Sequence, residues 1–441
     1  MKKLTPTALL GAFITLLVLA WGANLRYGAG LPAGAAPLWV FRAELLKLSG
    51  LLAVGLMSLI MVLATRPVWL EKPLGGMDRI YQTHKWAGIL AGIAVLIHWG
   101  ADEAGGLIKG LIGAGGKVSR EHGSELYESL LDLGKEMGEW ALYPLLILIA
   151  LTLLKRFPFK PWRVLHRAMP VLYLMGALHG LMLAPLTWWQ QPVGWALALL
   201  VAAGSWGAVL SLLGRIGKRR QYRGEILQVE EPAPGLTRLT CRIEPRWPGH
   251  RPGQFAFLTL HDREGSHPFT IASAPREDGS LCFAIKALGD YTRDLASRLE
   301  AGQHVTVEGP YGGFDFQGEK PQVWIAGGVG VTPFLAGLEA LHHAPGTAVS
   351  LHYCCRDSRN DPFVPQLQRL CADLPGVRLH IHDTPREGPL TVARLAQLEP
   401  GLAGSDIWFC GPAGFARSLK QGLRTQGLDQ VCLHQEAFEM R

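Results

Sequence analysis

The chain has 441 residues, 49% of them hydrophobic and 18% charged, with a formal net charge of +7 at pH 7. That length allows two or three domains, and so low a charged fraction excludes an ordinary soluble protein over the whole chain. The excess base does not argue for nucleic acid, because it sits where apolar runs end (LATRP, LKRFPFKPWR, GRIGKRRQYR) and no basic patch with interleaved aromatics is present.

A membrane span needs about 20 apolar residues. Six runs qualify, at roughly 5–22, 42–64, 81–100, 140–154, 164–186 and 193–213. The first follows MKK and reads either as a signal peptide or as a retained span. The charge distribution is satisfied with it retained. With the N-terminus inside, Arg66, Lys72 and Arg79 are cytoplasmic. So are Lys155, Arg156, Lys160 and Arg163, then Lys218, Arg219 and Arg220. The outer segment TWWQQP is uncharged, and residues 101–139, expected as a long outer loop, carry more acid than base. Within that loop, SELYESLLDLGKEMGEW reads as a helix at the outer face, and His122 is left without a role. Arg42 and Lys47, near the outer end of span two, read either as interfacial anchors or as an attraction for an anionic acceptor. Six spans put both termini in the cytoplasm of a plasma (inner) membrane protein. All seven cysteines lie after residue 240, with no CxxC spacing. That fits a reduced compartment for the second half and argues against zinc and iron–sulfur clusters.

Four histidines interrupt the apolar runs. His84 and His98 lie in span three, 14 residues apart, and His166 and His179 lie in span five, 13 apart. Ionisable groups in lipid are costly and mark function. At ~1.5 Å per residue each separation is roughly 20 Å along the helix. The two spans run in the same direction, so His84 and His166 share an inner level while His98 and His179 share an outer one. A single membrane histidine is ordinarily a hydrogen-bonded core residue; two matched pairs favour two haem irons held from both sides. Fourteen steps return to within about 40° of the same face, whereas thirteen fall about 140° away. Pro170 is expected to re-aim the second helix.

After a basic linker at about 214–223, short alternating runs (GEILQVE, TRLTCRIE, QFAFLTL, LCFAIKAL, HVTVEG) suggest a small antiparallel barrel. From about 320, strand-then-helix units beginning QVWIAGG, AVSLHYCC and SDIWFCGP suggest a parallel α/β domain. The expected organisation is therefore a multi-domain membrane protein. A six-helix transmembrane bundle at 1–214 precedes an antiparallel β-barrel domain at 220–317 and an α/β parallel-sheet nucleotide domain at 320–441.

HPFTIAS at 267–273 is a strand end with an aromatic, a hydroxyl and a tight turn. In IKALGDYT, Gly289 lets the backbone turn so that N–H groups and Thr292 face a pyrophosphate. AGGVGVTPF at 326–334 follows a strand and opens a helix, as a phosphate loop does, although it lacks the GxGxxG spacing. In YCCRDSRND, Arg356 and Arg359 read as a 2′-phosphate pair favouring NADPH over NADH, or as solvated loop residues. Cys410 in FCGP is by itself a strand-end thiol of a kind that is often buried.

The histidine spacings and these motifs together resemble the ferric reductase and NADPH oxidase transmembrane family, with a C-terminal module like that of ferredoxin–NADP reductases. The resemblance covers nearly the whole chain. It implies two b-type haems, one on His84 and His166 and the other on His98 and His179. It implies FAD lined by His267, Pro268, Phe269, Thr270 and Ser273, with Gly289 and Thr292 at its pyrophosphate. It implies NADPH or NADH on Gly327, Gly328, Gly330, Thr332 and Pro333, with Cys410 beside the nicotinamide and Phe438 in HQEAF stacked on the flavin. Three residues follow Phe438, unlike the family's oxidases, which commonly end at that aromatic. The implied reaction carries electrons from NAD(P)H through FAD and both haems to oxygen or a ferric chelate on the far side. Alternatives are an electron-donating subunit for an extracytoplasmic partner protein and a membrane-anchored flavin reductase without a haem relay. A haem sensor without turnover would need the flavin and nucleotide motifs to be idle, and a proton or voltage-gated channel has no regularly spaced arginine series to support it.

Overall fold

The computed structural model describes residues 4–27, 34–118, 124–154, 156–260, 265–314, 316, 318, 320–342 and 348–435. The chain divides into two compact units, one formed by Met1–Gly75 with Arg79–Ile216 and the other by Gly76–Asp78 with Gly217–Arg441.

The first unit is helical. Its helices are α1 (Pro6–Tyr27), α2 (Pro37–Ala64), α3 (Val68–Leu74), α4 (Met77–Ile112), α5 (Glu125–Leu153), α6 (Phe159–His166), α7 (Met169–Met182) and α8 (Pro192–Leu212). Among the described residues, five are long and apolar enough to cross a membrane: α1, α2, α4, α5 and α8. The expected fifth span, 164–186, is not one helix. It is broken at Arg167–Ala168, and α7 has only 14 residues. Residues 101–139, expected as an outer loop with a helix over SELYESLLDLGKEMGEW, are largely helical among the described residues. α4 continues to Ile112 and α5 begins at Glu125, so most of that segment extends two spanning helices.

Burial in this unit follows lipid logic. Leu51, Val54, Met57 and Met61 of α2 pack with Leu145 and Leu148 of α5, Tyr173 and Ala177 of α7, and Leu197 and Val201 of α8. Large apolar side chains such as Leu16, Leu19, Trp86, Ile93, Trp140, Ile147, Trp195 and Leu199 face outward. Helices approach closely where side chains are absent. A Cβ on Gly204 would run into the Tyr173 hydroxyl and come within 2.8 Å of Ser58 Cα, and one on Gly207 would lie 2.6 Å from Met61 O. Ser58 and Tyr173 hydroxyls bond at 3.0 Å, and Tyr173 Oη–H also donates to Val201 O at 3.2 Å. Small residues and internally satisfied hydroxyls are what helix packing in lipid selects.

The second unit begins with a six-stranded antiparallel sheet of β1 (Gln221–Ala233), β2 (Leu236–Ile243), β3 (Phe255–Thr259), β4 (His267–Thr270), β5 (Ser280–Lys286) and β6 (His304–Tyr311), in the order β4-β3-β6-β1-β2-β5. One antiparallel bridge, Ile271–Phe283, joins its two edges, and Ala272 N–H donates to Cys282 O at 2.7 Å beside it. The short α9 (Leu295–Arg298) lies between β5 and β6.

A parallel five-stranded sheet follows: β7 (Gln322–Gly327), β8 (Val349–Cys355), β9 (Val377–Asp383), β10 (Asp406–Cys410) and β11 (Cys432–Gln435), in the order β11-β10-β7-β8-β9. Between these strands run α10 (Thr332–Leu341), α11 (Phe363–Ala372), α12 (Thr384–Glu387), α13 (Val392–Leu398) and α14 (Ala413–Thr425). The strands read as near-continuous apolar runs because helices cover both faces. Phe334, Leu338, Leu351 and Leu367 fill one face, and Ile325, Leu395, Ile407 and Leu419 the other.

The α2–α7–α8 junction gives a direct test. Gly204→Leu should lower stability by about 1–3 kcal/mol through overpacking, read as an earlier thermal transition of the detergent-purified protein. A transition unchanged from that of the parent would mean that the helices do not meet there.

Candidate functional site

In the membrane unit the four histidines meet in two pairs. His84 and His166 have ring centroids 6.4 Å apart, and His98 and His179 have them 5.9 Å apart. Two imidazoles on one metal, each with a bond of about 2 Å, place their centroids about 6 Å apart. The spacing of both pairs therefore fits a bound iron.

Ring nitrogens not facing the partner histidine are held from behind. His98 Nδ1 lies 3.0 Å from Leu46 O and 3.3 Å from Ser49 Oγ, and His179 Nδ1 lies 2.9 Å from Gly134 O. His84 bonds the Ile60 backbone. Such bonds fix the tautomer and ring orientation of a metal ligand. His166 Nδ1 is buried without a hydrogen-bond partner. Its ring instead stacks on Trp162 at 5.0 Å, whose Nε1–H donates to Thr152 Oγ1 of α5 at 3.0 Å. Glycines make room: a Cβ on Gly50 would lie 3.1 Å from His98, and one on Gly138 would overlap the His179 ring.

The turn between α6 and α7 answers the 13-residue spacing. Arg167 N–H donates to Val164 O and Ala168 N–H to Leu165 O, tightening the chain to three-residue bonds. Pro170 lies in the first turn of α7 and not inside a helix, so the interruption itself re-aims His166 relative to His179. Arg42 and Lys47 are not open charges. Arg42 pairs with Asp102 at 2.9 Å and Lys47 with Glu44 at 2.7 Å. His122 lies outside the described residues.

In the second unit, β7 lies between β8 and β10, so chain order reverses at the carboxyl ends of β7 and β10. Open parallel sheets bind ligands at such switch points. The two loops there touch by backbone. A Cβ on Gly330 would overlap Cys410 O, one on Gly327 would lie 2.9 Å from Pro412 Cδ, and one on Gly411 would lie 3.2 Å from Gly327 N. Gly328 takes φ +57°, a left-handed conformation that favours glycine. Thr332 opens α10 with Pro333 in its first turn, and its hydroxyl donates to Val329 O at 3.1 Å. This crevice joins Gly327, Gly328, Gly330, Thr332, Pro333 and the buried Cys410.

Arg356 and Arg359 are exposed in the loop after β8. That loop is pinned from below. Ser358 N–H and Oγ–H donate to Asp383 at 3.2 and 2.9 Å, and Asp357 accepts from Arg359 N–H at 3.1 Å. Phe438 lies outside the described residues.

The HPFTIAS segment forms β4 and the turn after it. Phe269 pairs with Ala256 and Pro268 with Phe257 across β3. Thr270 is buried; Ser273 is fully buried and its Oγ accepts Cys282 N–H at 3.1 Å. His250 Nε2–H donates to Ser273 O at 2.9 Å. Burial, with Arg276 nearby, holds His250 below its ordinary pKa against that hydrogen bond. His267 stacks on Tyr291 at 3.7 Å. Thr292 Oγ1 accepts Leu288 N–H at 2.9 Å and Gly289 N–H at 3.3 Å, so this hydroxyl holds the LGDYT turn.

Glu339 of α10 ties the two sheets' motifs together: its carboxylate accepts Ala274 N–H at 3.0 Å and lies 3.4 Å from Arg276. The sequence reading missed Glu339 and His250, which sit in no motif. Tyr291 was legible only as the aromatic of LGDYT.

Stability should respond to pH through His250. The unfolded chain takes a proton there near pH 6.5, whereas the folded chain does so only at lower pH. Stability is therefore pH-independent above that value and falls below it, by up to about 1.4 kcal/mol per pH unit. Thermal release of flavin fluorescence between pH 7 and 5 measures this, and His250→Gln, which keeps a donor, should flatten the slope.

Three family models match the chain. A ferric reductase like transmembrane component covers residues 49–177, an FAD-binding domain 235–324, and an oxidoreductase NAD-binding domain 324–421. The glycine betaine monooxygenase reductase subunit of Chromohalobacter salexigens is 30% identical over 43% of this chain and 56% of its own length. The vanillate O-demethylase oxidoreductase of Pseudomonas putida is 31% identical over 42% of this chain and 58% of its own. The chain thus spans about half the length of the curated relatives it matches. A ferredoxin NADP+ reductase from Neisseria gonorrhoeae matches in structure at 17% identity with a TM-score of 0.41, over 49% of this chain and 98% of that one. The chain thus carries a ferric reductase-like membrane component followed by an FAD-binding and an NAD-binding oxidoreductase domain, the order expected of the ferric reductase / NADPH oxidase transmembrane family.

Proposed function

We propose that this chain is a transmembrane oxidoreductase that passes electrons from cytoplasmic NAD(P)H, through FAD and two b-type haems, to oxygen or a ferric chelate on the outer face. The observation that carries the reading is the meeting of four membrane histidines in two pairs at haem-ligand spacing. His84 and His166 would hold the inner haem, and His98 and His179 the outer. Bound FAD would convert a two-electron donor into single-electron steps, and the haems would carry those electrons across the lipid.

The membrane domain, 1–214, is read as six spans with both termini cytoplasmic. α6 and α7 with their turn make one broken span, since α7 alone is roughly 21 Å long against a core of about 30 Å. The sheet bridged at Ile271–Phe283 is read as a barrel within a flavin domain at 220–317, and 320–441 as the nucleotide domain. His267, Pro268, Phe269, Thr270 and Ser273 would line the flavin, with Gly289 and Thr292 shaping the turn near its pyrophosphate and Phe438 stacked on the ring. Gly327, Gly328, Gly330, Thr332 and Pro333 would bind the dinucleotide, whose nicotinamide lies by Cys410. Arg356 and Arg359, exposed on a pinned loop, can grip a 2′-phosphate without first being ordered. The alternative reading is a protein acceptor on the outer face, in keeping with relatives named as reductase subunits of monooxygenases.

Absorption spectra taken without oxygen, before and after NADPH, test the wire. Flavin bleaching with sharpened reduced b-type haem bands is expected. His98→Leu or His179→Leu should remove about half of the haem while flavin reduction persists. Flavin bleaching with no haem signal in the parent protein would instead make it a membrane-anchored flavin reductase. Superoxide formation against anaerobic ferric-chelate reduction then separates the small-molecule acceptors, and activity in neither assay points to the protein acceptor.

Nucleotide preference is tested separately. Arg356→Ala with Arg359→Ala should raise KM for NADPH by about 10–100-fold, as loss of roughly 1.5–3 kcal/mol of charged hydrogen bonding requires, and leave that for NADH nearly unchanged. Equal effects on both donors would remove the 2′-phosphate role.

A further inference from the structure

A second cluster of histidines lies in the nucleotide domain, outside the crevice and outside the flavin and nucleotide motifs above. His352 on β8 and His380 on β9 are direct cross-strand partners in the parallel register. Their side chains therefore leave the same face of the sheet side by side, with rings 4.6 Å apart and only 9° from parallel. Glu399, just after α13, brings its carboxylate to both. Its Oε1 is 3.1 Å from His352 Nε2 and 3.6 Å from His380 Nε2. One ligand atom from each of the three residues falls within 4.8 Å of the other two.

We propose that His352, His380 and Glu399 form a binding site for a divalent transition-metal ion, with zinc as the fitting representative. Two imidazoles and one carboxylate, with further positions left to water, are a donor set that zinc and ferrous iron both accept.

The surroundings are arranged as a metal site's second layer is. His352 Nδ1 lies 3.0 Å from His382 Nε2, and His382 Nδ1 faces Glu387 at 3.9 Å. With the ion bound, a proton on His352 Nδ1 would donate to His382 and leave Nε2 bare for the metal. That is the carboxylate–histidine–ligand chain that orients metal ligands elsewhere. Arg378 holds the other carboxylate oxygen, Oε2, at 2.6 Å, leaving Oε1 turned to the histidines, where Ser350 Oγ–H also donates. His380 Nε2 is a solvent-shielded ring nitrogen with no hydrogen-bond partner, aimed into the cluster. An unpaired buried acceptor or donor is costly, and a bound cation would satisfy it.

The ligand atoms stand somewhat wider than a bound ion requires, since zinc bonds are about 2.0–2.2 Å. His380 supplies the adjustment. Its side chain is 30% exposed and can rotate inward, whereas His352 and Glu399 are fixed by burial. Bound there, the ion would brace β8 against β9, the strands from which the pinned Ser358–Asp383 contact arises.

Full-length, flavin- and haem-loaded protein is stripped with a chelator, dialysed against buffered zinc, and assayed for zinc per chain. One zinc per chain is expected, with a higher thermal transition than the stripped protein. His380→Gln, a half-exposed position, should lose the zinc while keeping flavin absorbance and folding. His382→Ala should weaken binding by about 10–100-fold. Zinc K-edge absorption of the parent protein should report two imidazoles and oxygen. No retained zinc, unchanged binding in His380→Gln, or a spectrum with sulfur or fewer than two imidazoles would each overturn the site and leave a hydrogen-bonded histidine relay in its place. The spectrum needs no variant, so a His380→Gln chain that fails to fold leaves the test intact.

Discussion

The nucleotide half of this molecule depends on a backbone contact. Gly330 rests on the Cys410 carbonyl, and Gly327 on the turn that follows it. Any side chain there would hold β7 and β10 loops apart and fill the crevice at the switch point. With no side chain, the loop's N–H groups and the start of α10 can come against a phosphate, where helix polarity favours negative charge. The same helix carries Glu339 to the Ala274 N–H. One rigid element therefore sets the position of both the glycine loop and the segment after HPFTIA. A flavin and a dinucleotide that exchange electrons must be placed to fractions of an ångström, and loops alone would not hold that precision.

The membrane half rests on a different constraint, the placement of imidazoles in a medium without water. Each ring needs a partner for its second nitrogen, and for three of the four histidines a backbone bond supplies one. Helix carbonyls are normally spoken for, so an extra donor must approach a neighbouring helix closely. Gly50 and Gly138 permit that approach beside His98 and His179. His166 is the exception, set at the end of α6 against Trp162. A continuous helix through His166 and His179 could not face both rings to α4, and the turn at Arg167–Ala168 solves the phase problem at the cost of a few unmade helical bonds.

Charged groups follow the same economy throughout. Arg42 and Lys47 are each neutralised by an acid within a hydrogen bond's length. Arg356 and Arg359 instead stay exposed on a loop whose other polar groups are all used to fix its backbone. The contrast separates charges paired within the fold from charges left exposed to solvent.

Local pattern was enough for much of this. Apolar runs located the membrane helices because lipid accepts little else, and strand alternation and Gly-Pro turns located most of the two sheets. The spacing of His84, His98, His166 and His179 marked two levels before any coordinates. The helix over SELYESLLDLGKEMGEW was legible, but its continuity with the next apolar run as α5, and the extension of α4 to Ile112, were not, because helices continue past an apolar stretch under their own hydrogen bonding, which hydropathy does not register. The glycine loop was legible as a turn, but its contact with Cys410 depends on β10 lying beside β7, a pairing of strands about eighty residues apart. Glu339, His250 and the His352–His380–Glu399 cluster had no signature at all. Their residues are scattered along the chain and become neighbours only through strand register and helix packing. The sequence by itself determined which segments meet lipid, which form strands and which residue types carry redox and phosphate chemistry. Tertiary structure alone decided which of those residues touch, because contact between distant segments is set by the packing of whole elements and by no local preference.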